Sequence, residues 1–520
     1  MPNYTFIILI ACKIAISSSL LSQPINNRFD FNNKPISKFY GLDVKSDTIY
    51  CAGSAFDSMG YLNYLFAILD GSNVLDYKLY NLLNFPSGPK TFYSFTSPIC
   101  GLNGRIENFC SISYRDVCML NIYPESDSFN YQTFQHYYAP NESFTAITDW
   151  KPTADSGYIV VYNARSTQIP GAQSGIIALR LDRNLQIVWQ RVYHFTGYEA
   201  VDCVLQTNDG GFVIGGNNYD YSVQGNYWSQ GFVFKINYLG NLEWQFSSNI
   251  SQFWSTVFDI VEDPTDGCIV GISAHGREEN GNIYYYPFIF KVDSNSNLLW
   301  KTSIGNGTYG LSPNYFNCLS VSNEEDGYVA AGAISSNFNG NYNKSGWIGK
   351  VSLSGDSIWA RSVSILDDSV ILDDHSIEDI VPDPHGNGYW LAGSVANKDG
   401  TDPPHQRSWL LKIDNYGCLV PGCNNYTDVV DLDKFDSDLL LYPNPTKEQL
   451  SVVLKGNLIA SDLKHLGISD IYGTIILKME TNSLEYQYVI PLEELPKGVY
   501  YLWITDENGK VLSSKPFSHF

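Results

Sequence analysis

The chain has 520 residues and a formal net charge of −22, because 54 acidic residues outnumber 32 basic ones. This charge argues against wrapping a nucleic acid backbone and against docking on an anionic membrane surface. Hydrophobic residues make up 44% and aromatic residues 14% of the sequence, which excludes an intrinsically disordered chain. We therefore expect a large folded core and a surface rich in Asn, Ser, Thr and Tyr.

The first 22 residues have the features of an export signal. A short apolar run at residues 6–16, with Lys13 inside it, is followed by serines at 17–19. We predict a signal peptide that is cleaved near Ser22. One alternative stays open, since Leu9-Ile10-Ala11-Cys12 resembles a lipoprotein cleavage box that would make Cys12 a lipidated N-terminus. No other stretch is apolar over about 18 residues, so no transmembrane span is expected.

Ten cysteines occur in the chain, and nine of them follow the predicted cleavage site. Cys418 and Cys423 bracket the turn-forming sequence Leu-Val-Pro-Gly, so we predict a disulfide between them in an oxidising exterior. The others lie mostly in apolar runs and are interpreted as buried free thiols: Cys51, Cys100, Cys110, Cys118, Cys203, Cys268 and Cys318. No C-x-x-C pair exists, and no metal site or cofactor is predicted.

Two short units recur along the middle of the chain. The first is a turn with Asp or Gly followed by an apolar strand, and its glycines are 54 to 61 residues apart. These are Gly157, Gly211, Gly267, Gly327 and Gly388. The second unit ends in Trp189, Trp244, Trp300 and Trp359, which are 55 to 59 residues apart. A period of this length indicates a repeat architecture.

Each repeat is predicted to contain four strands joined by turns, which is typical of one blade of a β-propeller. Two degenerate copies near residues 48–70 and 108–122 bring the predicted count to seven. We therefore predict an all-β chain with a seven-bladed β-propeller over residues 38–425. The predicted blades are 38–88, 89–140, 141–196, 197–250, 251–308, 309–370 and 371–425.

Two alternatives to seven blades stay open. Six or eight blades would follow if a degenerate copy is miscounted or a closing strand is shared. An open stack of β-sandwich modules is the rival fold, but such modules need about 90–100 residues each, nearly twice the observed period.

Residues 426–438 differ in composition from the repeats. Five aspartates fall in this stretch: Asp428, Asp431, Asp433, Asp436 and Asp438. The stretch lacks the glycine turn and the terminal glutamate of a calcium loop. We interpret it as a solvated acidic linker.

Residues 439–520 contain six short strand-like segments between Gly and Pro turns, which predicts a small Ig-like β-sandwich. Three motifs occur in order: Leu441-Tyr442-Pro443-Asn444-Pro445-Thr446, then Ile471-Tyr472-Gly473, then the stretch 495–504 followed by Gly509-Lys510. On these residues the segment resembles the type A C-terminal sorting domain of the type IX secretion system of Gram-negative bacteria. The positions that carry the resemblance are Tyr442, Pro443, Asn444, Pro445, Gly473, Gly498, Tyr500 and Gly509.

The resemblance implies a route of export through the periplasm. A translocon and sorting machinery in the outer membrane would recognise the domain, remove it in the acidic linker, and either anchor the cargo to surface lipopolysaccharide or release it. The expected location is the outer cell surface or the exterior. An Ig-like accessory module at the chain end is the alternative reading.

Sequence signatures of catalysis are absent, among them H-E-x-x-H, G-x-S-x-G and the phosphate-binding loop. Asp373-Asp374-His375 could belong to a metal or acid–base site, but an exposed loop between blades explains it equally well. We interpret the repeated turn aspartates as hairpin residues that bind backbone N–H groups, and the repeated tryptophans as packing between blades. No catalytic residue is assigned.

The predicted connections between second and third strands are long and rich in aromatic and amide side chains, at residues 162–174, 217–230, 273–286, 333–345 and 394–407. In a propeller they share one face, where binding residues concentrate. Aromatic rings stack on sugars, and Tyr and Trp also supply contact area for proteins. The candidate ligand-binding residues are Tyr219, Tyr221, Tyr227, Trp228, Tyr284, Tyr285, Tyr286, Phe338 and Tyr342.

We therefore expect an exported propeller that binds a glycan or another surface component. Ordinary loop packing would also explain the tyrosines. A polysaccharide-degrading enzyme with scattered carboxylates and a structural or adhesion protein remain alternatives. An inward-facing carboxylate pair about 5–10 Å apart would favour the enzyme, and a tyrosine-rich funnel would favour binding.

Overall fold

The computed structural model of the chain describes the β-rich segments and the turns that join most of them. The described residues are 25–29, 31, 36–56, 62–71, 73–80, 94–96, 98–100, 106–113, 116–123, 128–134, 142–166, 175–195, 198–220, 228–247, 255–279, 282–304, 308–309, 315–338, 341–365, 373–397, 406–419, 439–442, 446–447, 449–454, 464–470, 475–480, 487–492, 495–505 and 511–519. Over these residues the regular elements are 37 β-strands, with no helix. The predicted all-β class is confirmed.

The first thirty strands form seven antiparallel sheets, which we number in chain order. Sheet 1 contains β2 (Ser37–Lys45), β3 (Thr48–Phe56), β4 (Leu62–Asp70) and β5 (Asn73–Tyr80). Sheet 2 contains β6 (Ser94–Phe95), β7 (Ile99–Cys100), β8 (Ile106–Ser113), β9 (Asp116–Tyr123) and β10 (Ser128–Phe134). Sheet 3 contains β11 (Glu142–Pro152), β12 (Tyr158–Ser166), β13 (Gly175–Leu181) and β14 (Ile187–Tyr193).

The next three sheets are also built from consecutive strands. Sheet 4 contains β15 (Tyr198–Gln206), β16 (Phe212–Asp220), β17 (Trp228–Ile236) and β18 (Leu242–Ser247). Sheet 5 contains β19 (Ser255–Glu262), β20 (Ile269–Glu279), β21 (Asn282–Val292), β22 (Leu298–Ser303) and the short β23 (Thr308–Tyr309). Sheet 6 contains β24 (Tyr315–Val321), β25 (Gly327–Phe338), β26 (Asn341–Ser352) and β27 (Ser357–Val363).

Sheet 7 combines the two ends of this region. It contains β28 (Asp373–Pro382), β29 (Tyr389–Asn397) and β30 (Gln406–Ile413), and its fourth strand is β1 (Asn26–Phe29). The pairing between β1 and β30 is antiparallel and runs from Asn26 opposite Leu411 to Phe29 opposite Ser408. The strand β1 lies before the predicted propeller start at residue 38.

Each of the seven sheets packs on the next, and sheet 7 packs back on sheet 1. The first strands of neighbouring sheets are in contact in five pairs: β11 with β15, β15 with β19, β19 with β24, β24 with β28, and β28 with β2. Sheet 2 contacts sheet 1 through β6 with β3 and sheet 3 through β6 and β8 with β11. The first strands of sheets 3 to 7 and sheet 1 therefore follow one another along the ring of contacts.

A buried apolar cluster lies at each of the seven sheet junctions, and burial of this surface is the main force that holds the sheets together. The fourth-strand tryptophans contribute to these junctions. Trp189 Nε1 donates to the Tyr238 carbonyl of the next sheet at 3.0 Å, and Trp300 Nε1 donates to the Leu353 carbonyl at 3.1 Å. The interpretation of these tryptophans as inter-sheet packing is confirmed.

Two further sheets form the C-terminal region and share one core. The first contains β31 (Leu439–Tyr442), β32 (Gln449–Leu454) and β35 (Gln487–Pro491). The second contains β34 (Ile475–Glu480), β33 (His465–Asp470), β36 (Gly498–Thr505) and β37 (Val511–His519). The predicted acidic linker at 426–438 lies outside the described residues.

Candidate functional site

The connections between second and third strands lie at one end of sheets 1 and 3 to 7, which we call the hairpin end. In sheet 5, β20 and β21 stay paired until Glu279 faces Asn282, and in sheet 6, β25 and β26 stay paired until Phe338 faces Asn341. The predicted loops at 273–286 and 333–345 are therefore mostly paired strand, and the loop interpretation was wrong there. Their aromatic and β-branched residues favour extended structure.

The sequence contained a signal for these long hairpins. Asn280-Gly281 and Asn339-Gly340 stand between the paired strands, and Asn-Gly is the residue pair favoured by two-residue hairpins. The two extended hairpins belong to neighbouring sheets. The hairpin end is therefore built up on one side of the ring.

The predicted ligand-binding residues fall on these and the neighbouring strands. Tyr284, Tyr285 and Tyr286 lie on β21, facing Arg277, Gly276 and His275 of β20. Phe338 ends β25, Tyr342 is the second residue of β26, Tyr219 lies near the end of β16 and Trp228 begins β17. Tyr221 and Tyr227 lie outside the described residues.

Among these nine residues, the side chains that the structure describes are those of Tyr285 and Tyr286, and both are half-buried. Burial raises the pKa of Tyr285. The strand β23 pairs with β21 beside them, placing Tyr309 opposite Tyr284 and Thr308 opposite Tyr285. The tyrosine segment is thus held between two strands, which gives it a fixed backbone.

The hairpin of sheet 6 is tied to sheet 7 through Lys344. Its N–H donates to Asp374 Oδ1 at 2.9 Å, and its carbonyl lies 3.2 Å from His375 Nδ1. Since Ile365 N–H donates to His375 Nε2 at 2.9 Å, Nδ1 carries the ring proton and donates to Lys344. Both nitrogens of the buried ring are engaged by the backbone, so Asp374 and His375 act as structural residues.

Charged and aromatic side chains gather on the first strands and on β26 close to the hairpin end. Lys38 Nζ lies 2.9 Å from Glu378 Oε1 and 4.8 Å from the centre of the Tyr40 ring. Burial opposes the charge of Lys38, but Glu378 outweighs this effect and raises the pKa of the ammonium. Lys344 Nζ lies 5.2 Å from the centre of the Tyr315 ring.

The first strands of sheets 3, 5 and 7 each carry an aspartate at a β-bulge that binds the following sheet. Oδ2 of Asp149, Asp259 and Asp379 accepts the backbone N–H of Val204, Leu319 and Leu42 respectively, at 2.9 Å in every case. These carboxylates therefore join neighbouring sheets. The sequence analysis did not single them out, although an Asp inside an apolar first strand is unusual.

The intervening sheets use other polar contacts at the same bulge. In sheet 4, Asp202 Oδ2 accepts the Thr256 hydroxyl at 2.6 Å. In sheet 6, Asn317 Nδ2 donates to the Ile377 carbonyl at 2.7 Å. Polar side chains thus link the first strands from sheet 3 round to sheet 1.

One lysine, Lys151, interacts with the carboxylates at these bulges. Lys151 Nζ lies 3.1 Å from Asp149 Oδ1. Burial opposes its charge, but Asp149 and then Asp259 outweigh burial and raise its pKa. Burial raises the pKa of Asp202 and that of Asp259 to about 7. Carboxyl groups of this kind hold a proton near neutral pH and could exchange it.

The opposite end of each sheet, which we call the turn end, carries repeated ion pairs. In sheets 3 to 7, a basic residue of the third strand meets a carboxylate of the turn between the first two strands, in the pairs Arg180–Asp155, Lys235–Asp209, Lys291–Asp263, Lys350–Asp326 and Lys412–Asp383. Asp155 and Asp209 also accept backbone N–H groups of their turns. The hairpin role predicted for the turn aspartates is confirmed for Asp155, Asp209 and Asp266, whereas Asp326 accepts the Ser322 hydroxyl. The basic partner is an addition from the structure.

The cysteine predictions are confirmed where the structure describes the side chains. Cys51, Cys118, Cys203, Cys268 and Cys318 are free and buried. Burial raises the pKa of the Cys268 thiol to about 11, which keeps it protonated. Cys418 is buried, but Cys423 and the side chains of Cys100 and Cys110 lie outside the described part, so the disulfide stays a prediction.

No group of three or more His, Cys, Asp or Glu side chains that could hold a metal ion occurs among the residues that the structure describes. The search for a membrane-spanning helix in the same residues also finds none.

Three of the sorting-motif residues lie among the described residues of the C-terminal region. Tyr442 ends β31 and Gly498 begins β36, while Pro443, Asn444, Pro445, Gly473 and Gly509 lie outside the described residues. Tyr500 is buried, and its hydroxyl donates to the Pro496 carbonyl at 2.6 Å. Its ring lies 5.8 Å from that of Phe517, which anchors the last strand in the core.

Comparison with known proteins places the C-terminal region in a family. Residues 440–515 match the family described as a secretion system C-terminal sorting domain. No curated protein matches the chain.

Several solved structures resemble the chain weakly. The β-propeller domain of the Trilobed protease from Pyrococcus furiosus is 9% identical, with 71% of this chain and 97% of that chain covered and a TM-score of 0.36. The periplasmic gluconolactonase of Pseudomonas aeruginosa is 12% identical, with 74% and 97% covered and a TM-score of 0.34. A puromycin-hydrolyzing peptidase of Mycobacterium tuberculosis is 11% identical, with 81% of this chain and 59% of that chain covered and a TM-score of 0.40.

At these scores the structural similarities carry no information about activity. The family match, by contrast, covers the region in which the three sorting motifs occur in order. Residues 440–515 therefore belong to the type IX secretion C-terminal sorting domain family, and the chain is a cargo of that system, exported to the cell surface or the extracellular space.

Proposed function

We propose that the exported part of the protein is a seven-bladed β-propeller that binds a glycan or another surface component at its hairpin end. The seven sheets, their contacts from each to the next, and the return of sheet 7 onto sheet 1 support the propeller. Completion of sheet 7 by β1 supports a closed ring. On this proposal the propeller begins near residue 25 and ends near residue 425, and an Ig-like sandwich follows from residue 439.

The single observation that carries the binding proposal is the pair of extended hairpins on sheets 5 and 6. They rise on neighbouring sheets, and the hairpin of sheet 5 presents three consecutive tyrosines, of which Tyr285 and Tyr286 are half-buried. A half-buried ring on a fixed strand loses little entropy when it stacks on a sugar or on a protein side chain. These features favour ligand recognition by the tyrosines over ordinary packing without a ligand.

The proposal is tested with the signal-free chain on a broad array of surface polysaccharides. We expect retention of at least one polysaccharide, and at least a ten-fold weaker affinity for Tyr285→Ala or Tyr286→Ala, because loss of an aromatic ring on which a nucleic acid base stacks costs about 1–3 kcal/mol and a stacked sugar ring loses a similar contact. Tyr238→Ala is the matched control, since Tyr238 is 64% exposed at the turn end. Equal loss in the control, or none in the hairpin variants, would contradict the proposal.

A polysaccharide-degrading enzyme is the second candidate, and one observation favours it. Asp202 and Asp259 have pKa values near 7, which suits a general acid. Release of reducing ends in the same array, abolished by Asp202→Asn or Asp259→Asn, would support the enzyme. If the array shows neither retention of a polysaccharide nor release of reducing ends, the result would favour a structural or adhesion role.

The route of maturation is proposed from the same family assignment. A signal peptide at residues 1–22 is removed, the sorting domain is cut off in the linker at 426–438, and Cys418 pairs with Cys423. The cargo is then anchored to lipopolysaccharide or released. The intact mass of the secreted protein tests these steps together, because each cleavage and the loss of two hydrogens on disulfide formation has its own mass change.

A further inference from the structure

A cavity of about 180 Å³ opens at the turn end between sheets 7 and 1. Its apolar walls are formed by Ile25, Val44, Gly71 and Trp390, and its polar walls by Ser46, Asp47, Asp383, His385 and Lys412. The cavity lies apart from the tyrosine hairpins, which stand at the other end of the sheets. Its origin can be read from the repeats, because sheets 3 to 6 carry a fourth-strand tryptophan at the position that borders this cavity in sheet 7.

The first missing side chain is a fourth-strand tryptophan. In sheets 3 to 6 a tryptophan faces the basic residue of the third strand, as Trp300 faces Lys291. In sheet 7 the fourth strand comes from the N-terminus, and Ile25 takes this place: its carbonyl accepts the Lys412 N–H at 2.9 Å. An isoleucine leaves unfilled much of the volume that an indole ring occupies.

The second missing side chain is a second-strand tyrosine, which sheets 3, 6 and 7 carry as Tyr158, Tyr328 and Tyr389, whereas sheet 5 has Ile269 at this position. Tyr328, which pairs with Val321 and Val351, reaches back from sheet 6 and donates its hydroxyl to Asp263 of sheet 5. In sheet 1 the equivalent position is Ile49, which pairs with Val44 and Leu69 and carries no hydroxyl. The sheet 7 carboxylate therefore receives no phenol from its neighbour.

That carboxylate belongs to Asp383, the counterpart of Asp263. Asp383 N–H binds the Gly388 carbonyl at 2.8 Å, as Asp263 N–H binds that of Cys268 at 2.8 Å, and each pairs with the third-strand lysine of its sheet. Asp383 is 3% exposed. Its Oδ2 forms the ion pair with Lys412 Nζ, and among the described residues no other N–H or O–H group donates to it.

The remaining walls suit a flat ring. Trp390 is 7% exposed, and Lys412 Nζ lies 4.7 Å from the centre of its ring. Ile25 and Val44 add apolar surface and pack against the cluster that contains Trp390. In sheets 4 and 6, the carbonyls of Tyr238 and Leu353 accept the Nε1–H of a tryptophan from the preceding sheet. Gly71 occupies the equivalent position in sheet 1, since each of the three lies two residues after the residue that pairs with the first or second residue of the second strand.

We propose that this cavity binds a small aromatic molecule that carries one N–H or O–H donor, of the indole or phenol type. The ring lies between Trp390 and the side chains of Ile25 and Val44. The donor is directed to Asp383 Oδ2 or to the Gly71 carbonyl, which replaces the contact that the missing tyrosine or tryptophan makes elsewhere. A cavity left by a missing apolar side chain binds aromatic rings such as benzene, and the polar walls of this cavity add a partner for the donor.

The proposal is tested with the full-length chain and the probes indole and 4-methylphenol, by isothermal titration and ligand-observed NMR. We expect saturable binding at one site per chain, and at least ten-fold weaker binding of toluene, which has the ring without the donor. Ile25→Trp restores the repeat residue and fills the cavity, so it should weaken both probes at least ten-fold. Ile49→Tyr should do the same by donating its hydroxyl to Asp383.

Ile187→Trp is the matched control, because it adds an indole at a position of β14 that is 45% exposed and distant from sheet 7 in the ring. This variant should bind both probes as the parent chain does. Absence of saturable binding to the parent chain would overturn the proposal. Unchanged binding in folded Ile25→Trp would overturn it as well, and if that variant does not fold, unchanged binding in Ile49→Tyr has the same meaning.

Discussion

The turn-end ion pairs differ in how deeply their carboxylates lie, because Asp263 begins its turn, as Thr207 does in sheet 4, whereas Asp209 lies two residues further along. The side chain of Asp263 is fully buried, whereas that of Asp209 is 55% exposed. Asp263 takes hydrogen bonds from Lys291, Thr265 and Tyr328. A buried charge without its partner is far costlier than an exposed one, so the two pairs should respond differently to loss of the lysine.

We predict that Lys291→Met lowers the free energy of unfolding by about 3–5 kcal/mol, because it leaves the Asp263 carboxylate buried without its cation. Lys235→Met is the matched substitution at the exposed pair and should cost no more than about 1 kcal/mol. Denaturant unfolding at neutral pH measures both. Equal losses in the two variants would show that burial of the carboxylate does not govern the effect.

The same pair predicts a response to acid. Burial alone would raise the pKa of Asp263, but the hydrogen bonds from Lys291, Thr265 and Tyr328 outweigh it and hold the pKa well below its usual range. A depressed pKa stabilises the folded chain above the unfolded value of about 3.9, and this contribution is lost as the pH falls toward the folded pKa. Lys291→Met should therefore lose less stability than the parent chain between pH 5 and pH 2.

At the scale of the strand, the bulged first strands have the opposite pH dependence. Burial raises the pKa of Asp202 to about 7, so folding favours the protonated carboxyl. Stability that depends on this proton is present below the unfolded pKa and declines as the pH rises from about 4 through 7.

We predict that Asp202→Asn, which keeps an oxygen to accept the Thr256 hydroxyl, reduces the loss of stability between pH 5 and pH 8. The loss does not vanish, because burial also raises the pKa of Asp259 to about 7. Denaturant midpoints at the two pH values give the comparison. A variant whose midpoint falls as much as that of the parent would argue against titration of Asp202.

Strand positions and turn chemistry were predictable from sequence because each repeat alternates apolar runs with Asp, Asn and Gly turns. The turn aspartates were assigned correctly, but their lysine partners lie a whole hairpin away, as Lys291 does from Asp263. The length of the two extended hairpins was missed even though Asn280-Gly281 and Asn339-Gly340 mark their tips. Bulges such as that between Val257 and Asp259 depend on contact with the neighbouring sheet, so local sequence does not reveal them.

At the scale of the whole molecule, the strand β1 completes sheet 7. Phe29 of this strand is 8% exposed and packs in the cluster shared by sheets 7 and 1. Without β1, the long strand β30 would present unpaired N–H and C=O groups at an open edge.

We predict that a chain starting at residue 30 unfolds at a lower temperature than one starting at residue 23, and that it forms dimers or larger species through the open edge. Residues 23 and 24 precede the strand, so the longer chain serves as the control. Differential scanning calorimetry and size-exclusion chromatography make the two measurements. A monomer of unchanged stability would mean that β1 is dispensable.

The number of sheets followed from the repeat period, but the closing strand did not. Asn26 accepts a hydrogen bond from Trp409, 383 positions along the chain, and no local pattern announces such a partner. The cavity next to Ile25 has the same cause, because the N-terminal strand does not carry the repeat tryptophan. Both features come from the point at which the ring closes.

The pairing of β1 with β30 also sets an order of events during biogenesis. The N-terminal strand is among the first segments to leave the ribosome, but its partner is synthesised nearly four hundred residues later. Contacts between such distant segments form late, because the intervening chain must first be brought together. On the proposed propeller and export route, sheet 7 therefore stays incomplete while most of the chain crosses the inner membrane. We expect β1 and β30 to pair only after residue 413 has arrived, so that this pairing marks the completion of folding.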